Sequence, residues 1–204
     1  MDPAYAYGQA LAIYGSYTSM VYLFPVIGGL IADHIFGFRK AILVGGILMM
    51  AGHFTLALQG IPALEDSLLV FFIALSLIII GNGYFKPNIS SFLGKFYKQD
   101  DPRKDGAFSI FYMGINIGAF LATLTCGYVG EEINWHYGFG LAGIGMGLGL
   151  LTFWLLGPNM FGEKGKEPDT EDLHKPFWIG ISKTNLVFIG TALFIPVCAM
   201  LLNV

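Results

Sequence analysis

The 204-residue sequence predicts an all-α, polytopic membrane protein with about six transmembrane helices. Three observations carry this. The chain is 55% hydrophobic and only 12% charged, well short of the roughly 25% charge with which a soluble domain covers its surface. Its mean hydropathy is +0.65. Apolar runs of about 20 residues, enough to cross a hydrocarbon core, recur between polar segments.

In chain order the runs are Gly8–Ala32, Ala41–Pro62, Leu68–Gly94, Ala107–Val129, Trp135–Gly157 and Leu186–Asn203. Before the first, Met1 to Gly8 holds Asp2 and no Lys or Arg. A signal-peptide n-region is therefore not expected, and the run reads as a retained span. The connection Asp33–Lys40 carries a carboxylate, Gly37 for a tight reversal, then Arg39 and Lys40. These charges either form a clamp between neighbouring helices that breaks and remakes as bundles rock, or simply stop two spans at the interface. The second run ends near Pro62 and a loop around Glu65-Asp66.

The third run contains the energetic anomaly of the chain. Lys86 lies in Gly81-Asn82-Gly83-Tyr84-Phe85-Lys86-Pro87-Asn88-Ile89-Ser90, and a cation near a membrane-helix centre costs about 2.5–3.5 kcal/mol. Asn82, Lys86 and Ser90 recur every four residues and share one helix face. Pro87 removes a backbone donor, a break tolerated in lipid beside protein or a cavity. Lys86 sits about 7–8 Å past the middle of its span, at helical rise, so its stem could snorkel. The neighbouring Asn and Pro favour a polar cavity.

In the fourth run, Asn116 is an amide in an apolar helix and needs a partner. Taken alone, it reads as an interhelical hydrogen bond. In the fifth run, Gly143, Gly145, Gly147 and Gly149 give two overlapping small-xxx-small pairs. These suit close helix packing rather than phosphate binding, since no strand precedes them. The last run follows the long mixed-charge segment Pro158–Lys183.

Ten of the eleven Lys and Arg residues fall in three connections, Asp33–Lys40, Lys95–Gly106 and Pro158–Lys183. With six spans, all three lie on one side, which the positive-inside rule makes cytoplasmic. Both termini would then face outward, and one preceding helix would bring the N-terminus inside. The net charge of −3 comes with no basic face for nucleic acid. Cys126 and Cys198 lie in apolar runs without metal-ligand spacing. His34, His53, His136 and His174 are scattered, with no zinc-type pair, so no enzyme is expected.

Three segments, in register, resemble one family: the proton-dependent oligopeptide transporters (POT or PTR family) of the major facilitator superfamily. Gly28-Gly29-Leu30-Ile31-Ala32-Asp33, continued by Gly37-Phe38-Arg39-Lys40, is similar to its first signature. Phe85-Lys86-Pro87-Asn88-Ile89 is similar to its fourth-helix segment, and Phe111-Tyr112 with Asn116-Ile117-Gly118 to its second signature. The resemblance implies that Lys86 lines the central cavity, recognises peptide and takes part in proton coupling. It implies peptide contacts for Asn116 and for Tyr22, and a cytoplasmic gating loop containing Asp33 and Arg39. It also implies di- and tripeptide uptake across the inner or plasma membrane by alternating access, driven by a proton gradient without metal or organic cofactor. The partners would be small peptides, protons and the lipid bilayer. The first-helix Glu-x-x-Glu-Arg motif of the family has no match here. By this resemblance, residues 1–157 are a partial N-terminal bundle of five spans, helices two to six. Residues 158–183 are a cytoplasmic linker, and 184–204 an additional helix of the kind bacterial members insert between bundles. The chain is thus expected to be an incomplete major-facilitator bundle, truncated or split, whose first helix and C-terminal bundle could lie on another chain. The alternative is a non-transporting membrane partner or regulatory subunit with the same fold.

Overall fold

A computed structural model describes residues 3–65, 67–168, 173, 175–178 and 180–203. Asp66, His174 and Val204, and with them parts of the expected linker and last segment, lie outside the described residues. The helices are α1 (Pro3–Ile31), α2 (Gly37–Leu58), α3 (Leu68–Gly94), α4 (Arg103–Ala122), α5 (Tyr128–Glu132), α6 (Trp135–Phe161) and α7 (Lys183–Leu202). A π-helical turn, Ala32–Phe36, joins α1 to α2, and a second, Thr123–Gly127, joins α4 to α5. Each of the six expected runs is helical over most of its length; the second, Ala41–Pro62, leaves the helix after Leu58.

Among the described residues, five stretches are long and apolar enough to cross a membrane, and the first of them, Tyr7–Leu58, has 52 residues. As one rod it would be about 78 Å long, more than twice the hydrocarbon thickness of about 30 Å. Gly37 divides it, with φ 69°, a left-handed conformation that only glycine adopts without strain. Contacts confirm the reversal. Along α1, Val21 meets Asn82 and Gly28 meets Asn88, so α1 runs parallel to α3. On α2, Gly45 faces Gly81 and Gly52 faces Ile78, an antiparallel pairing. Asp33–Lys40, expected as a loop, is therefore a π-helical turn followed directly by the first turn of α2. The local backbone bonds are kept, and the single glycine makes the bend.

The core of the fold is α3, held between α1 and α2. Gly81 and Gly45 let α2 and α3 meet backbone to backbone: a Cβ on either would sit 2.6 Å from the other's carbonyl oxygen. On α6, Gly143 lies against the Phe54 ring and Gly147 against Met50 Sδ, while Gly145 and Gly149 face open space. One of the two expected small-residue pairs thus packs on α2. The other lines a cavity of about 790 Å³ between α2, α3, α4 and α6. Helix α7 lies antiparallel on α1 and α3, through Phe24–Phe194 at 5.2 Å and a Tyr84–Thr191 hydroxyl contact at 2.7 Å. No residue of α4 is buried.

Two prolines explain the α1–α3 register. Pro25 has no N–H to give the Val21 carbonyl, four residues back. The Asn82 amide of α3 donates to that carbonyl instead, at 3.1 Å. Pro87 likewise frees the Gly83 carbonyl, and this oxygen faces the Gly28 α-carbon. Helix α3 stays continuous through Pro87. Asn88, buried at 1% exposure, donates to the Gly28 and Tyr84 carbonyls. Asn82→Leu is expected to cost about 1–3 kcal/mol by stranding a carbonyl in an apolar medium. In a Pro25→Ala background, which restores the backbone donor, the same change should cost much less. Thermal melts of the four proteins in detergent test this cycle, and equal losses in both backgrounds would refute the assignment.

Beyond Gly157, where the fifth run was expected to stop, α6 continues through Pro158 to Phe161. The following segment holds a short antiparallel hairpin, Pro176–Trp178 with Ile181–Ser182. Its turn residue, Gly180, has φ 75°.

Candidate functional site

Tyr22 and Lys86 come together because α1 and α3 are parallel and close. The Lys86 ammonium lies 5.3 Å from the centroid of the Tyr22 ring, within cation–π range. Both side chains are exposed, so the lysine is not buried within this chain. Among the described residues, no carboxylate pairs with it. Asn82 and Ser90, expected on the same polar face, are half-buried. Asn82 is used by Val21, and Ser90 donates to the Pro87 carbonyl at 3.1 Å. Lys86 is thus the one member of that face left available. Tyr7 and Tyr14 continue the exposed stripe of α1 on which Tyr22 sits.

Asn116 stands apart. It is exposed on α4, and among the described residues nothing accepts from or donates to its amide. The cavity face of α4 is carried by Gly118 and Ala122. Asn116 is two residues from Gly118, about 200° around the helix. The interhelical bond expected from the amide alone does not form within this chain, and no contact joins Asn116 to Tyr22 or Lys86.

The turn between α1 and α2 is built differently from a simple Asp–Arg pair. Asp33 is exposed and makes no ion pair among the described residues. Arg39 instead caps the end of α6. Its backbone N–H donates to the Gly165 carbonyl at 2.9 Å and its Nε to the Lys164 carbonyl at 2.7 Å. Its Nη2 donates to Gly162, and its guanidinium lies 5.3 Å from the Phe161 ring centroid. Gly162 is the C-cap of α6, so the guanidinium also sits favourably at the negative end of that helix. Lys40 pairs with Glu167 at 2.5 Å. Beneath, Phe92 is buried among Phe38, Phe96, Phe153 and Phe161. Gly37 serves this contact as well as the bend, because a Cβ there would overlap the Lys166 carbonyl.

The connection Lys95–Gly106 is tied down locally. Arg103 forks both oxygens of Asp101, at 3.1 and 2.9 Å, which holds that carboxyl down at about 2.

Sequence reasoning missed Asn88 and the partners of Arg39. The pairing of Pro25 with Asn82 was readable only as a hint, an isolated amide opposite a proline-broken helix. The strap from Arg39 to residues 162–165 crosses more than 120 positions and left no local signal.

The model of the POT family (PTR2) matches residues 39–188. The uncharacterized transporter YclF of Bacillus subtilis (strain 168) is 41% identical over 197 residues, 97% of this chain and 37% of that protein. The di-/tripeptide transporter of Lactococcus lactis subsp. lactis (strain IL1403) is 44% identical over 161 residues, 78% of this chain and 31% of that protein. Among solved structures, a peptide transporter POT in complex with sulfate superposes with a TM-score of 0.72 at 41% identity, covering 94% of this chain and 36% of that one. A POT family transporter in complex with 5-aminolevulinic acid gives 0.73 at 34% identity, covering 96% and 38%. The chain therefore spans about a third of the length of the relatives it matches.

Proposed function

The chain belongs to the POT family, and from that premise we propose that it serves proton-driven uptake of di- and tripeptides by alternating access, without metal or organic cofactor. The protein is a multi-pass membrane protein. We place it in the plasma membrane with its basic face in the cytoplasm, as the positive-inside rule directs. Lys86 and Tyr22 would contribute one wall of the peptide site, and Asn116 a second wall on α4. Lys86 would also carry the coupling to protons, because an ammonium without a carboxylate partner can exchange between a peptide carboxylate and a protonatable acid. Asp33 and Arg39 would belong to the gate at the cytoplasmic end.

One observation carries this reading. Lys86 is a cation within an apolar helix, exposed, close to an exposed tyrosine and unpaired with any described carboxylate. A purely structural lysine at that depth would be expected to have found a partner.

The test is a chimera in which the matching segment of this chain replaces the 161-residue region of the Lactococcus lactis di-/tripeptide transporter. The chimera is expected to restore dipeptide uptake to a transport-deficient strain. A chimera that inserts into the membrane yet takes up no dipeptide would overturn the proposal.

A further inference from the structure

The three basic connections do more than mark one side of the membrane. Where α1, α3 and α6 end, they enclose a cavity of about 350 Å³ lined by Asp33, Phe38, Lys95, Lys164, Gly165 and Lys166. Two of its lysines are held by aromatic rings rather than by acids. The Lys95 ammonium lies 5.3 Å from the Phe38 ring centroid, and that of Lys164 lies 4.9 Å from the Phe96 centroid. Lys164 also donates to the Phe96 carbonyl at 3.3 Å. Neither lysine pairs with a carboxylate among the described residues. Lys166 shares both oxygens of the exposed Glu163, at 2.7 Å. Among the described residues, Asp33 is the one acid that lines the cavity; of the acids beside it, Glu163 is engaged by Lys166 and Glu167 by Lys40.

We propose that this cavity binds the phosphodiester headgroup of an anionic membrane lipid. Three lysines from two separate parts of the chain line the cavity with one unpaired carboxylate, and two of them, Lys95 and Lys164, have no acid partner among the described residues, so the cavity is complementary to an anion. Its depth selects the source. It opens where three apolar helices leave the hydrocarbon region, the level at which lipid phosphates lie. Basic pockets between transmembrane helices at that level suit anionic headgroups. The acyl chains would then follow the exposed apolar sides of the helices. A soluble phosphate would meet the same ammonium groups but gain nothing from those surfaces.

The experiment uses the purified chain in detergent, titrated with phosphatidylglycerol or phosphatidylcholine and read by native mass spectrometry. Phosphatidylglycerol is expected to be retained in preference. Replacing both lysines (Lys95→Gln with Lys164→Gln) should lower its retention roughly 10–30-fold, since each surface lysine contributes about a fivefold preference. Lys98→Gln, in the same connection but outside the cavity, should leave the preference unchanged. Asp33→Asn should strengthen retention, an effect that misfolding cannot produce. Equal retention of the two lipids overturns the proposal, as does indifference to the paired lysine change or weaker binding by Asp33→Asn. Glycerol 1-phosphate competing as well as the lipid would show a site for free phosphate and overturn the lipid assignment.

Discussion

In the Lactococcus lactis chimera, Lys86→Ala is expected to abolish proton-driven dipeptide uptake while leaving the protein folded and inserted. The two halves of that expectation have separate physical grounds. Among the described residues, the ammonium has no hydrogen-bond or ion-pair partner and lies over the Tyr22 ring, a contact worth about 0.5–1 kcal/mol at an exposed site. Against this loss stands relief of the cost of placing a cation deep in the membrane, about 2.5–3.5 kcal/mol. Stability should therefore change little or even rise, as a melting curve in detergent will show. On the proposed mechanism, uptake depends on a different property, the ability of this ammonium to be claimed in turn by peptide and by an acid. Alanine removes it entirely. Lys86→Arg keeps the charge but replaces a compact ammonium with a planar fork that binds carboxylates bidentately, so it should retain peptide binding better than coupled accumulation, which needs the partner to change. Normal gradient-driven uptake by the alanine variant would leave snorkelling as the better account of the lysine.

Much of this architecture was legible because lipid imposes a simple rule. Runs of about 20 apolar residues must be helices, and cations must sit between them. Leu68–Gly94 was readable to the residue for that reason: Ser67 caps its start and the polar connection begins at its end. The motif residues were legible as types, since a lysine, an amide or a proline in an apolar run is conspicuous wherever it lies. What they touch was not legible. Asn82 and Lys86 share a helix face, yet one is consumed by a carbonyl that Pro25 freed on another helix, and the other is left available. Asp33 and Arg39 read either as halves of a clamp or as interfacial charges, and the carbonyls of residues 162–165, just past α6, hold Arg39 instead. Asn116 read as packing glue, but α4 buries no residue within this chain. For Asn82 and Arg39 the deciding contact joins positions far apart in sequence, and periodicity carries no information about such pairs.

Gly28→Ala is expected to cause the largest loss of stability of any single methyl group added to this protein. The Gly28 α-carbon lies directly against the Gly83 carbonyl, and a Cβ there would overlap the Gly83 oxygen and crowd the Tyr84 nitrogen, 2.9 Å away. These are backbone atoms of a helix that is held on its other side by α2, so neither can yield as a flexible side chain would. Overpacking a well-filled core costs roughly 1–3 kcal/mol where neighbours can adjust, and here the cost should reach or exceed the upper figure. The displacement also has a functional consequence. Gly28 and Gly83 set the separation of α1 and α3, and those two helices carry Tyr22 and Lys86 six and three residues from the contact point. Widening the contact would lengthen the Asn82–Val21 and Asn88–Gly28 bonds together and draw Tyr22 away from the lysine. The chimera bearing Gly28→Ala should therefore melt at lower temperature and lose uptake. Gly15→Ala, on the same helix but with nothing within 4 Å, should do neither. If both substitutions were equally harmless, α1 and α3 would not be packed through glycine, and the geometry that brings Tyr22 to Lys86 would need another cause.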